Sequence, residues 1–270
     1  MNISFRRLGK FMALSVLAVG AFATIAYASH SWGSYHWART ANPFTLKLGD
    51  NVSAVWDGQL ASTSIDWSVS PVLDTTVVPG ANKKNCGAVK GRVEVCNKTY
   101  GNNGWLGVAS IRVSGNHITQ GTVKVNDTYF NNPPYNTPAW RQFVMCQEVG
   151  HTFGLDHQDV DFNNTNLGTC MDYTNDPDGG PGGASATDPS NEYPNAHDFA
   201  QLETIYAHLD SVTTLGQTVS QARGGHANAN ASESDDIGKA ISRDSRGHSS
   251  LHERDLGKGE KLFTFILWAE

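Results

Sequence analysis

MCQEVGHTFGLDHQD, Met145 to Asp159, decides how the rest of the chain is read. It closes a segment with strong helix punctuation. Thr137 is a plausible N-cap and Pro138 suits the first helical position, where a missing N–H costs nothing. Residues 139–153 contain no breaker except Gly150, and Gly154 is the natural stop after the last turn. Gln147 and His151 stand four apart, so on a helix both side chains present to one point. Gly154 allows a sharp turn, and His157, three residues later, can swing back to the same point. Three protein ligands leave a fourth position for water, which is the open coordination of a catalytic zinc; a structural zinc is closed by four protein ligands. Glu148, beside the first ligand, can reach that water without binding the metal.

The spacing QExxHxxGxxH (147–157) resembles the metzincin metallopeptidase signature HExxHxxGxxH in every fixed position but the first. GHTFGLDH is similar to the GHxLGLxH of matrixins. Metzincins carry a methionine-containing turn beneath the metal, and Met171 in CMDY follows His157 by 171 − 157 = 14 residues. Tyr173 matches the tyrosine of the Met-x-Tyr found in astacins and serralysins. HDFAQLETIYAHLD (197–210) resembles the metzincin C-terminal helix. The resemblance implies zinc held by Gln147, His151 and His157, Glu148 as general base, Tyr173 as oxyanion donor, and a protein or peptide substrate. Gametolysin-like algal peptidases share the initial glutamine, which implies that an active site accommodates it, although a carboxamide oxygen binds zinc more weakly than imidazole. His117 or His197 is an alternative third ligand that no spacing supports. Asp156, Asp159, Asp161, Asp172, Asp176 and Asp178 offer oxygens for calcium, without the spacing of an EF-hand loop. The rival reading is a secreted binding or structural protein on the same scaffold, with weak or no turnover.

Composition agrees with an exported globular protein. The chain has 270 residues, 39% hydrophobic, with a formal net charge of −6 and no long basic block, which argues against nucleic-acid binding. Arg6, Arg7 and Lys10 precede an uncharged run that ends in Ala26-Tyr27-Ala28, the pattern of a signal peptide over 1–28. Cleavage there leaves a secreted or extracytoplasmic protein with no membrane attachment. In an oxidising compartment the four cysteines suggest two disulfides, and Cys86–Cys96 with Cys146–Cys170 is the simplest of three connectivities.

The expected fold is α+β: a mixed β-sheet upper subdomain, the motif helix, the methionine turn and a C-terminal helix. Residues 29–210 form the catalytic domain. Residues 52–60 suggest a short helix, SIDWSVS (64–70) alternates like a strand, and 64–130 read as mostly β. The last helix spans about 196–209. Residues 211–255 are small and polar and read as a flexible linker. The apolar 256–270 is a strand whose partner is open: the main sheet, another chain, or a small hairpin.

Overall fold

A computed structural model describes residues 29–81, 85–182, 186–216 and 237–269. The proposed signal peptide and part of the expected linker lie outside the described residues. The architecture is α+β. Its elements are β1 (His36–Trp37), β2 (Phe44–Asn51), α1 (Asp57–Trp67), β3 (Leu73–Pro79), β4 (Val93–Lys98), β5 (Trp105–Ser114) and β6 (His117–Asn126). They are followed by α2 (Asp127–Phe130), α3 (Pro138–His151), α4 (Ala196–Ile205), β7 (Lys239–Arg243), β8 (Ser249–Gly257) and β9 (Glu260–Trp268). One mixed sheet runs β3-β2-β4-β6-β5-β9-β8-β7, with the short β1 paired to β6. Pairings among β3, β2, β4 and β6 are parallel; those from β6 through β5, β9 and β8 to β7 are antiparallel.

Helix α3 packs across this sheet and is buried along most of its length, including every residue from Gln142 to His151. Its start follows the sequence rule: Thr137 caps it by accepting the Trp140 N–H, and Pro138 occupies the first turn. Gly154 ends it with φ +103°, a conformation that excludes residues bearing a Cβ, and its Cβ position would strike the Tyr35 carbonyl oxygen. Four tryptophans surround the helix, and each indole N–H finds an acceptor, as buried indoles require. Trp32 donates to His151 O, Trp37 to Thr152 O, Trp67 to Cys146 O and Trp56 to Asp127 Oδ1. The aromatic stretch 30–39 is thus built into the body of the protein.

Three expectations are corrected. SIDWSVS is not a strand but the end of α1, which starts at Asp57 and not at residue 52. Leu60, Thr63, Ser64 and Trp67 are its buried positions, a helical i, i+3, i+4, i+7 set, while Ile65 and Val69, whose alternation suggested a strand, face solvent. The C-terminal helix stops at Ile205, four residues early, because Tyr206 turns its side chain into the core and donates its hydroxyl proton to Phe153 O. Residues 239–255 of the expected linker are not linker but carry β7 and most of β8. Their polarity misled because β7 is an exposed edge strand. Strand β9 resolves the open question about the C-terminus: it forms a hairpin with β8 and also joins the main sheet along β5. Its alternation serves two faces, Phe263, Phe265 and Leu267 entering the main core and Ile266 packing with Trp105 and Val108 on the other side.

Candidate metal centre

One of two disulfides and a network of backbone hydrogen bonds converge on the C-terminal half of α3. Cys86–Cys96 and Cys146–Cys170 both form, the second with Cα atoms 5.9 Å apart, tying α3 to the turn that carries Met171. The chain after Gly154 returns along that turn: Gln158 N–H donates to Met171 O and Tyr173 N–H to Asp159 O. Met171 lies so close to the helix that a Cβ on Gly150 would stand 2.5 Å from its sulfur. This explains a glycine in the middle of an otherwise well-formed helix.

The structure brings His151, His157 and Tyr173 together, and Gln147 and Glu148 lie on the same buried helix as His151, with Glu148 near enough to Tyr173 to act on it electrostatically. The His151 and His157 rings lie 4.5 Å apart at 77°, and the Tyr173 ring lies 4.3 Å from His157, tilted by 57°. Each ligand candidate is oriented by a second contact. His151 Nδ1 is 2.9 Å from Leu155 O, so that nitrogen is the protonated one and Nε2 carries the lone pair. His157 Nδ1 is 3.3 Å from Asp156 Oδ1. The Gln147 amide donates through Nε2 to Cys170 O at 2.9 Å and to Asp172 O at 3.3 Å. That leaves Gln147 Oε1 buried without a hydrogen-bond partner. A buried carbonyl oxygen without a donor is costly unless something electropositive faces it.

Electrostatics follow from burial. Gln147 and Glu148 are fully enclosed, and His151 and Tyr173 nearly so. Burial pushes the Glu148 carboxyl well above the usual range, offset in part by the Ala109 backbone amide. Gly107 on β5 provides the room: a Cβ there would meet Glu148 Oε1 at 2.5 Å. Burial, with His157 nearby, holds His151 well below the ordinary histidine value, so it is a neutral imidazole, the form that binds metal. Burial raises the Tyr173 phenol, helped by the negative charge of Glu148, and keeps it a proton donor. Asp172 rises to about 7 through burial, against hydrogen bonds to its carboxylate from Leu167 N–H and Asn191.

Sequence reading missed the residues that close this centre. Phe265 of β9 lies flat on His151, ring centroids 4.0 Å apart and planes 10° from parallel. Phe263 packs on Trp32 and Tyr35 beside it. The β7–β8 connection adds a clasp, with Ser245 N–H donating to Val160 O and the Arg246 guanidinium 3.5 Å over the Phe162 ring. The only signal was that KLFTFILW is too apolar to be left in water. His117 and His197 do not join the centre. His117 lies at the start of β6 beside His36, and His197 stacks on His30 at 4.7 Å. Among the described residues, the loop aspartates do not assemble into a group of three that could hold an ion.

No family model matches the chain, and no curated protein does. Among solved structures, high choriolytic enzyme 1, a hatching-enzyme zinc-protease from Oryzias latipes (medaka fish), is similar at a TM-score of 0.36 and 11% identity, over 65% of this chain and 96% of that one. Among the described residues no helix is long and apolar enough to cross a membrane.

Proposed function

We propose that the chain is an exported, metzincin-like zinc metalloendopeptidase in a self-covered state. The observation that carries this reading is the stranded Gln147 Oε1. With its amide nitrogen fixed by two carbonyls, glutamine can offer only its oxygen to a metal, and together with the imidazoles of His151, one helical turn on, and His157, whose ring lies 4.5 Å from His151, these donor types would suit zinc with one coordination position left open. Zinc held there would polarise a peptide carbonyl and lower the pKa of a bound water.

The chain's own groups divide the remaining work. Glu148 takes the proton of the attacking water and delivers it to the leaving amine, a task suited to a carboxyl that burial holds well above the usual carboxylate range. Tyr173 keeps its phenolic proton and donates a hydrogen bond to the carbonyl oxygen as charge develops there. Asp156 and the Leu155 carbonyl hold the imidazoles in register. The Cys146–Cys170 bridge fixes the methionine turn against α3.

Substrate cannot enter while Phe265 covers His151, so turnover requires β9 to leave the edge of β5. The same cover favours the second reading, a protein on this scaffold that binds or supports without hydrolysis. Casein cleavage separates the two. The peptidase reading expects cleavage that a chelator stops and zinc restores, that falls at least about a hundredfold in Glu148→Ala without loss of bound zinc, and that falls together with zinc content in Gln147→Ala. A zinc-loaded protein that stays inactive after β9 is loosened by Phe265→Ala would leave only the second reading.

A further inference from the structure

A second cluster of metal-binding side chains lies away from α3, where the N-terminal segment meets the start of β6 and the residues after α4. His36 and His117 are paired across the β1–β6 register. His208 and Asp210 approach them from the chain that leaves α4. Three imidazole Nε2 atoms gather around one carboxylate oxygen: His36, His117 and His208 lie 3.4, 3.2 and 3.7 Å from Asp210 Oδ1. The His36 and His208 Nε2 atoms are 3.1 Å from each other. Bond lengths of about 2.0–2.2 Å in tetrahedral geometry separate zinc ligands by about 3.3–3.5 Å, and the ligand atoms of His36, His117 and Asp210 all lie within 4.8 Å of one another, with the exposed His208 beside them. The rings meet near right angles, His36 with His117 at 84° and with His208 at 85°, as ligands around a centre do.

The surrounding contacts prepare these atoms for a cation. His36 Nδ1 donates to the Ser34 carbonyl at 2.8 Å, which turns Nε2 toward Asp210 Oδ1 and His208. Asp210 is oriented as well: Oδ2 accepts from the Arg39 backbone N–H and from Arg39 Nη1, which leaves Oδ1 to the histidines. Arg39 pairs with the carboxylate, and the donors offered to a metal are imidazole nitrogens and one carboxylate oxygen. That set suits zinc and not calcium, which requires six or more oxygens.

We propose that His36, His117 and Asp210 form a second divalent-metal site of the type that takes zinc, with the exposed His208 moving in as fourth ligand, clasping the N-terminal segment and the end of α4 to the sheet. Four protein ligands leave no place for a substrate, so the site is structural. It is independent of the peptidase reading.

The test is zinc stoichiometry of the full mature chain, stripped with chelator and titrated against a chromophoric competitor. Wild type is compared with His117→Gln/His208→Gln; His208 is half exposed and His117 about a third, so neither change opens the core. The double variant is expected to bind one zinc fewer than wild type and to lose most of the zinc-induced rise in Tm. If it does not fold after stripping, His208→Gln alone is expected to weaken that equivalent at least about tenfold. Equal stoichiometry and affinity in wild type and variants would overturn the proposal. Gln147→Ala and His157→Ala should leave this equivalent in place, so failure of the peptidase reading would show as absent cleavage with the clasp zinc retained.

Discussion

At the scale of single residues, the centre depends on which atom of a side chain is already occupied. Gln147 shows this most clearly. A carboxamide has a donor end and an acceptor end, and fixing the donor to Cys170 O and Asp172 O commits the acceptor. Asp172, whose backbone helps to hold it, supplies a prediction of its own. Its carboxyl is raised from 3.8 to about 7 in the folded protein because it is buried. The folded state therefore holds a proton that the unfolded chain releases. Its contribution to stability is complete below about pH 4 and is lost as pH rises through about 7. In chelator, Tm is expected to fall over that window, and Asp172→Asn, which keeps the acceptor for Leu167 N–H, should flatten the fall. Thermal unfolding between pH 4 and 8 measures it; equal slopes in wild type and variant would remove Asp172 from the account.

At the scale of elements, α3 is held from three sides: by the Cys146–Cys170 bridge, by the tryptophan N–H groups, and by β9. The bridge closes 24 residues, and in the chain-entropy model its removal in Cys146→Ser/Cys170→Ser should cost about 3 kcal/mol, read from the denaturant midpoint. Phe265→Ala should cost about 3–5 kcal/mol by leaving a cavity over His151. The same variant should cleave casein faster than wild type, because it weakens the cover and leaves Glu148 untouched. A stable but slower Phe265→Ala would contradict the cover. Much at this scale was legible beforehand. The cap at Thr137, the turn at Gly154 and the approach of His157 to His151 follow from local spacing, which a helix and its stop translate directly into space. What was not legible depended on partners distant in sequence. Ile65 and Val69 imitated a strand only because both are apolar, and burial of Trp67 against α3 decided for a helix. The polar strands at 239–257 have no local signal strong enough to announce pairing, and nothing in KLFTFILW says which histidine it will cover.

At the scale of the whole molecule, first and last segments meet at the same helix. Residues 30–39 hold the end of α3 from one side, and the hairpin of β8 and β9 holds it from the other. Tethering should therefore control activity without touching the centre. Ser114 and Glu260 are partners across β5 and β9 near the surface, so Ser114→Cys/Glu260→Cys should crosslink these strands under mild oxidation. The oxidised form is expected to be inactive on casein and the mildly reduced form to recover, since both native bridges are buried and resist a gentle reductant. Equal activity in both forms would mean that β9 need not move.

The pairing of β9 with β5 also bears on solubility. A strand seated by backbone hydrogen bonds leaves behind a row of unmet N–H and C=O groups, and β5 is apolar and nearly flush with the core. Water alone is a poor replacement for its partner. Another extended chain would fit the vacated edge: a substrate peptide, or β9 from a second molecule. Uncovering the centre thus makes the protein adhesive, and the outermost strand of the intact sheet, β7, is by contrast short and bears Lys239 and Arg243. Activation and self-association would compete for one edge, so concentration should set how much of the opened protein remains monomeric.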